Sequence, residues 1–193
     1  MSYYGNEYER RTLMNIEALY FQKYFYFKHL NQSSSEHSVT YWVKLSRDIE
    51  LHRLMYALVD VVQNQPVLRT QFVTDDFNQL KINLRDFFPF IEIKEVNEMS
   101  QSIDLEAFFT RNLNSYHFNQ LPLFNFKIYQ FLDDAYLLLD FHATIFNESQ
   151  LTPFLQQLNI AYTHSLKSEY SISDFYNWIK EMNQKMDQNQ VVC

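Results

Sequence analysis

The chain contains a single glycine, Gly5, among its 193 residues, where ordinary usage predicts about 13. Glycine lets backbone N–H groups approach a phosphate closely, so P-loops and dinucleotide-binding loops both depend on it. Neither loop can be built from this sequence. Turns must instead use Asn, Asp and Ser, which tolerate unusual backbone angles better than other residues that carry a side chain.

The composition indicates one folded domain with a substantial core. Hydrophobic residues make up 47% of the chain and aromatic residues 18%, which excludes a disordered tail. A length of 193 residues suits one domain better than two. The net charge is −7 and no basic stripe is present, so a nucleic-acid partner is not expected.

The positions of cysteine and histidine predict no internal disulfide and no metal site, and the first 30 residues predict no targeting segment. The one cysteine, Cys193, is the last residue, so no disulfide can form within the chain. Residues 1–30 carry charges throughout and lack an uninterrupted apolar run, which predicts neither a signal peptide nor a membrane span. We therefore expect a cytoplasmic protein. No metal-ligand spacing is found among His29, His37, His52, His117 and His164.

Hydrophobic periodicity alternates between helix and strand along the chain. Helices are predicted at residues 13–29, 49–63, 105–113 and 151–162. Strands are predicted at residues 39–45, 67–72, 79–82, 90–96, 123–131 and 135–141. Turns are predicted at Asp75-Asp76 and at Leu132-Asp133-Asp134, and Asp104 is predicted to cap the third helix. These elements favour a mixed sheet with helices packed against it, an α/β or α+β sandwich.

Three segments, in this order, resemble the condensation domains of nonribosomal peptide synthetases. Residues 49–72 end in Leu68-Arg69-Thr70 and Phe72, which are similar to the LRTxF of the arginine-bearing strand of that family. Residues 121–126, LPLFNF, resemble the PLF segment that opens a core strand. Residues 137–162 contain LLLDFHATIFNES in the place of the HHxxxDG motif, followed by the expected helix. The stretch SISDFYNWIK, at residues 171–180, also resembles the segment that leaves this lobe.

The resemblance implies a single chloramphenicol-acetyltransferase-like lobe, the N-terminal one of such a domain, at residues 12–182. Residues 1–11 would be an N-terminal extension and residues 183–193 a frayed tail. The activity of the family is acyl transfer from a carrier-protein thioester to an amine. Its substrates arrive on the phosphopantetheine of a carrier protein, so the lobe itself would need no cofactor. The implied partners are carrier, adenylation or second condensation lobes of a peptide synthetase, or a second copy of this chain.

The motif at residues 142–148 has lost most of the reactive residues of the family. His142 matches the first histidine, but Ala143 stands at the second, which in the family helps the acceptor amine attack the thioester. Asn147 replaces the aspartate that pairs with an arginine, and Glu148 replaces the glycine. An Asn offers no carboxylate for an ion pair, so Arg69 can buttress the motif only by an ordinary hydrogen bond, or brace its own strand.

The motif residues also have purely structural interpretations. His142 follows an apolar strand and is expected to be a buried imidazole bonded to nearby backbone. Asn147 and Gln150 fit a capping box, while Thr152 followed by Pro153 offers an equally good helix start.

Three functions are compatible with these features. The leading hypothesis is a catalytically degenerate lobe that acts as scaffold or partner-binding surface in a peptide synthetase system. The alternative is an active acyltransferase that uses His142 and is completed by a second lobe or by oligomerisation, as the resemblance to single-lobe trimeric acetyltransferases implies. A third is a binding module that recognises a carrier or adenylation domain without chemistry. A lobe separated from its partner should also expose apolar surface.

Overall fold

The computed structural model describes residues 16–31, 37–113, 116–118, 120–164 and 172–190. Helices in these ranges are α1 (Tyr20–Asn31), α2 (Leu51–Asn64), α3 (Leu105–Arg111), α4 (Leu151–Thr163) and α5 (Ile172–Gln190). Strands in the same ranges are β1 (Ile16–Glu17), β2 (Ser38–Lys44), β3 (Thr70–Thr74), β4 (Leu80–Leu84), β5 (Glu92–Glu95), β6 (Phe124–Gln130) and β7 (Ala135–His142). None of the helices described is long and apolar enough to cross a membrane.

The larger sheet has the strand order β2-β7-β6-β5. Strand β7 is antiparallel to both β2 and β6, while β5 runs parallel to β6. The β6–β7 hairpin closes where the Phe131 N–H donates to the Asp134 carbonyl over 2.8 Å, as the Leu132-Asp133-Asp134 sequence predicted. The sheet is therefore mixed and carries packed helices, so the predicted α/β sandwich is confirmed.

A smaller sheet has the order β1-β4-β3 and is antiparallel throughout. Its β3–β4 turn is organised by Asp75, whose Oδ1 accepts hydrogen bonds from the N–H groups of Phe77 and Gln79. Asn78 in that turn has a φ of 58°, in the left-handed region where glycine is the usual residue and Asn a tolerated one. The predicted turn at Asp75-Asp76 is confirmed, and it shows how a chain with so little glycine makes a tight turn.

The N-terminal helix is shorter than predicted. Periodicity favoured a helix at residues 13–29, but α1 begins only at Tyr20. Ile16 instead pairs with Ile82 of β4, because the smaller sheet offers its backbone a neighbouring strand. The start of the predicted helix and the predicted extension at residues 1–11 lie outside the described residues.

The strand predicted at residues 67–72 begins later, at Thr70. Residues 66–69 form a 3-10 turn instead, with Pro66 in the first turn of the helix, where its fixed φ is favourable and its missing N–H costs nothing. The sequence also predicted one sheet, whereas the strands around this segment form the separate smaller sheet.

The chain end was predicted as a frayed tail at residues 183–193; α5 continues to Gln190, and residues 191–193 lie outside the described residues. Two contacts attach this helix to the smaller sheet. Asn183 Nδ2 donates to the Glu17 carbonyl over 2.9 Å, and the Leu84 N–H donates to the Tyr176 hydroxyl over 3.3 Å. Helix α5 is therefore stabilised by tertiary contacts that periodicity alone does not reveal.

The main core lies where α2 and α4 pack against the larger sheet. Phe154 of α4 is at its centre, with its ring centroid 5.4 to 6.0 Å from the centroids of Phe126, Phe141 and Phe146. Aromatic side chains of this size bury large apolar areas, which is the main favourable contribution to folding. Helix α2 contributes a buried stripe made of Leu54, Ala57, Leu58, Val61 and Val62.

The opposite face of the larger sheet has an aromatic half and a polar half. Phe109 of α3 belongs to the aromatic half, where Trp42 stacks on it with ring centroids 5.3 Å apart. The polar half follows from register, since cross-strand partners share a face. Asn125 of β6 lies opposite Asp140 of β7, and Lys127 lies two residues further along the same face of β6. Asp104 caps α3 as predicted, by accepting from the Ala107 N–H at 3.1 Å.

Truncation of Phe154 tests the placement of the main core. The Phe154→Ala variant should lose about 3–5 kcal/mol of unfolding free energy, because this side chain is 1% exposed and is surrounded by other rings. Phe88→Ala is the matched control, since Phe88 is 81% exposed, and should change stability by less than about 0.5 kcal/mol. Urea unfolding followed by circular dichroism measures both. Equal losses in the two variants would contradict this core.

Candidate functional site

The motif loop, residues 142–148, leaves the larger sheet at the end of strand β7. The His142 N–H donates to the Leu123 carbonyl over 2.9 Å, and the Ala143 N–H donates to the His37 carbonyl over 2.8 Å. These two bonds hold the loop between the entry to β6 and the entry to β2. The chain then passes into α4, so the loop is fixed at both ends.

His142 is fully buried, and its imidazole is occupied by the loop. Its Nδ1 accepts a hydrogen bond from the Thr144 N–H at 3.1 Å, and the ring lies edge-on to Phe118 with centroids 4.9 Å apart. In a neutral imidazole that accepts through Nδ1, the proton sits on Nε2. Neither nitrogen then offers an open lone pair. This is the placement expected for a structural histidine.

The remaining motif positions are a small apolar residue, a cap and an exposed carboxylate. Ala143 is a nearly buried methyl group. Asn147 caps the 3-10 turn of residues 148–150: its Oδ1 accepts from the Ser149 N–H at 3.0 Å, and Gln150 Oε1 accepts from the Asn147 N–H at 2.8 Å. The predicted capping box is confirmed. The carboxylate of Glu148 is exposed at this N-terminus, where a negative charge is favourable.

The helix that follows uses the cap at Asn147 and not the alternative start. The 3-10 turn leads directly into α4 at Leu151, so Pro153 falls at the third helical residue. It is tolerated there because the first four N–H groups of a helix have no intrahelical partner.

Arg69 contacts a different part of the molecule from the motif. Its Nη1 donates to Asp86 Oδ1 at 2.7 Å, whereas Asn147 Oδ1 accepts from the backbone and side chain of Ser149. The guanidinium is buried and the Asp86 carboxylate is largely exposed. The structure therefore shows Arg69 bracing the segment after β4, and the motif keeps its shape through its own cap.

Sequence reasoning missed a buried carboxylate two residues before the motif. Asp140 is fully buried in β7; its Oδ1 accepts from Thr40 Oγ1 at 3.0 Å and its Oδ2 accepts from the Tyr116 hydroxyl at 2.6 Å. The available signal was a single charged residue within the apolar run of β7, since a carboxylate in such a strand must be paired.

Tyr116 connects this carboxylate to the motif. Its ring centroid lies 5.8 Å from that of His142, while its hydroxyl binds Asp140. Burial raises the pKa of Tyr116 far above its ordinary value, and the charge of Asp140 and the hydrogen bond to it act in the same direction. Tyr116 therefore stays protonated as a donor, and the network is suited to fixing positions rather than to transferring protons.

A cavity of about 540 Å³ borders the motif loop on the side of α4 and α5. Ile145 of the loop, Gln150, Gln157 and Trp178 are among its walls, and none of the side chains that line it is charged. The cavity offers amide groups and aromatic rings, so it suits a neutral, partly apolar segment and provides no acid or base. Across the described ranges, no group of three or more His, Cys, Asp or Glu side chains could hold a metal ion.

Comparison with protein families identifies the lobe. The family model of the condensation domain matches residues 15–192. No match is found among curated protein sequences.

Solved structures share this fold at low sequence identity. The starter condensation domain of rhizomide synthetase has a TM-score of 0.67 and 14% identity, over 77% of this chain and 37% of that one. The X-domain from teicoplanin biosynthesis has a TM-score of 0.70 and 14% identity, over 90% and 40%. A tallysomycin biosynthesis protein has a TM-score of 0.65 and 16% identity, over 80% and 39%. The chain thus spans about two fifths of the length of these structures.

Removal of two buried tyrosine hydroxyls should have different effects on stability. Tyr116→Phe leaves the buried Asp140 without one of its donors, which should cost about 1.5–3 kcal/mol of unfolding free energy. Tyr129→Phe is the matched control, because its hydroxyl is buried without a hydrogen-bond partner in the part of the chain described. Its removal should be neutral or stabilising. Thermal unfolding of both variants measures this, and a greater loss in Tyr129→Phe would contradict the Asp140 network.

Proposed function

Because the chain belongs to the condensation domain family, we propose that it is a catalytically degenerate lobe of a nonribosomal peptide synthetase system, acting as a scaffold or partner-binding surface. The observation that carries the proposal is the occupied imidazole of His142, whose Nδ1 accepts from the Thr144 N–H. Beside it, Ala143 places a methyl group where the catalytic histidine of the family stands. The motif keeps residues that shape the loop and lacks the residues that carry out the chemistry of the family.

The geometry of His142 argues against a substitute catalyst at this position. A general base must approach the proton that it removes to about 2.6–3.2 Å, directly or through one water. His142 has no exposed surface, and its acceptor nitrogen already binds the loop backbone. To act on a substrate, the ring would have to give up the Thr144 bond and leave its place beside Phe118.

The proposal gives the chain no cofactor of its own; any acyl group would arrive on the phosphopantetheine of a partner carrier protein.

Strand β2 is a candidate partner surface. It is one of the two edge strands of the larger sheet in the described residues, and it exposes the large apolar side chains Trp42 and Val43. Exposed edge backbone and apolar side chains together favour association with another protein. The partners we expect are a carrier domain, an adenylation domain or a second condensation lobe in the cytoplasm, or a second copy of this chain.

A condensation assay tests the proposed loss of catalysis. The protein is incubated with an acyl-loaded carrier and an aminoacyl-loaded carrier, and amide product is measured by mass spectrometry. We expect the same background rate for the unchanged protein, for His142→Ala, and for the control His52→Ala, whose side chain is exposed on α2.

A different outcome of the same assay would support the alternative function. Product formation by the unchanged protein that is lost in His142→Ala and kept in His52→Ala would support the alternative, an active acyltransferase completed by a second lobe or by oligomerisation. Light scattering on the same sample would then show whether a trimer forms the site.

A further inference from the structure

A second cavity, of about 410 Å³, lies beside strand β6 of the larger sheet, where Asn125 and Lys127 of the polar half are among its lining residues. Its volume lies within the range of small-molecule sites, about 300–1,000 Å³. No residue of the motif loop lines it, but Tyr116, which connects Asp140 to His142, does, so the cavity adjoins the site described above. Its polar and aromatic walls include Phe90, Glu92, Tyr116, Gln120, Asn125 and Lys127.

Two residues of opposite charge line this cavity. Glu92 of β5 and Lys127 of β6 are partners in the parallel register of these strands. In the described ranges, neither residue forms an ion pair within 4.0 Å. Because this carboxylate and this ammonium do not form an ion pair with each other, both can pair with the charges of a ligand.

Lys127 is placed where a bound carboxylate would be favourable. Burial lowers the pKa of Lys127, and the neighbouring Lys94 lowers it further, while the charges of Glu92 and Asp140 act in the opposite direction. A partly desolvated ammonium gains more from a contacting carboxylate than an exposed one does.

Asn125 supplies a second donor on the same face of β6. Its Nδ2 is buried and makes no hydrogen bond in the part of the chain described. Asp140 lies directly opposite, but that carboxylate already accepts from Thr40 and Tyr116. A buried donor without an acceptor costs free energy that a ligand oxygen would recover. Asn125 and Lys127 are two residues apart, about 7 Å along the strand, so both can reach one carboxylate.

The charges around the cavity restrict the ligand. Lys127 and the neighbouring Lys94 contribute positive charge, and Glu92 and the buried Asp140 contribute negative charge. A simple anion such as phosphate would pair with Lys127 but leave the carboxylate of Glu92 without a cation. A simple cation would pair with Glu92 but leave the donors of Asn125 and Lys127 without an acceptor. A molecule that carries both a carboxylate and an ammonium satisfies all of these groups.

We propose that this cavity binds a free α-amino acid as its zwitterion. The carboxylate accepts hydrogen bonds from Asn125 Nδ2 and Lys127 Nζ, the ammonium donates to Glu92, and the side chain of the ligand lies toward the exposed ring of Phe90. An aminoacyl thioester has no free carboxylate and would leave Asn125 and Lys127 unsatisfied, so it is not the ligand. The site stands whether or not the motif loop is catalytically degenerate.

Calorimetric titration of the whole chain tests the site with three related probes. L-Phenylalanine should bind in a one-to-one ratio. 2-Phenylethylamine lacks the carboxylate and 3-phenylpropionate lacks the ammonium, so each should bind at least about tenfold more weakly. A thermal-shift screen of the twenty common amino acids at millimolar concentration shows which side chain the cavity prefers, and the titration is repeated with the preferred amino acid.

Substitutions and a spectroscopic signal locate the ligand. Glu92→Gln and Lys127→Gln should each weaken binding by about tenfold or more. Lys180→Gln is the matched control, since Lys180 is exposed on α5 and does not line the cavity, and it should keep the affinity. In the unchanged protein, the side-chain amide signal of Asn125 should shift in a ¹⁵N NMR spectrum when the ligand is added, which does not depend on any variant folding.

Three results would overturn the proposal. The first is that none of the twenty amino acids binds at millimolar concentration. The second is that 3-phenylpropionate binds as tightly as L-phenylalanine. The third is that Glu92→Gln and Lys127→Gln keep full affinity and the Asn125 signal does not move. Each is independent of the condensation assay, so failure of the amino-acid site and failure of the proposed loss of catalysis are distinguishable.

Discussion

The burial of strand β7 on both faces is the constraint on which the rest of the structure depends. From Tyr136 to His142 every residue is buried, so every backbone polar group there needs a partner within the protein. The sheet provides these partners along the strand, and Leu123 and His37 provide them where the strand ends. The same requirement applies to the side chain of His142, which uses the Thr144 N–H. The imidazole is thereby committed to the fold.

The second polar side chain of β7 extends this constraint across the sheet. A buried carboxylate is costly unless hydrogen bonds compensate its lost hydration, and Asp140 obtains them from Thr40 on one neighbouring strand and from Tyr116 above the sheet. This network fixes the polar half of the sheet. On the same face, the Nδ2 of Asn125 is buried and has no hydrogen-bond partner in the described part of the chain.

Local signals in the sequence predicted the parts of the structure that local interactions determine. The hairpin at Leu132-Asp133-Asp134, the turn at Asp75 and the cap at Asn147 each depend on residues within four positions of one another. Their side chains and turn propensities are visible in the sequence, and so is the periodicity that predicted the mixed sheet.

Contacts between distant segments were not predictable in the same way. The pairing of Ile16 with Ile82 places the two residues of β1 where a helix was predicted, and the bond from Asn183 to Glu17 joins residues 166 positions apart. Arg69 finds its carboxylate at Asp86, a residue that no motif marks. Periodicity indicates which face of an element is apolar, but not which other element packs against that face. The geometry of the candidate site depends on this packing.

The imidazole of His142 provides the most direct test of the account. ¹⁵N NMR distinguishes its two ring nitrogens, and the His142→Ala spectrum assigns them. In the presence of an acyl-loaded carrier protein, we predict a neutral ring with the proton on Nε2 and with Nδ1 still accepting its hydrogen bond. A proton on Nδ1, or a change of tautomer when the carrier is added, would show that the histidine is available for chemistry and would contradict the account.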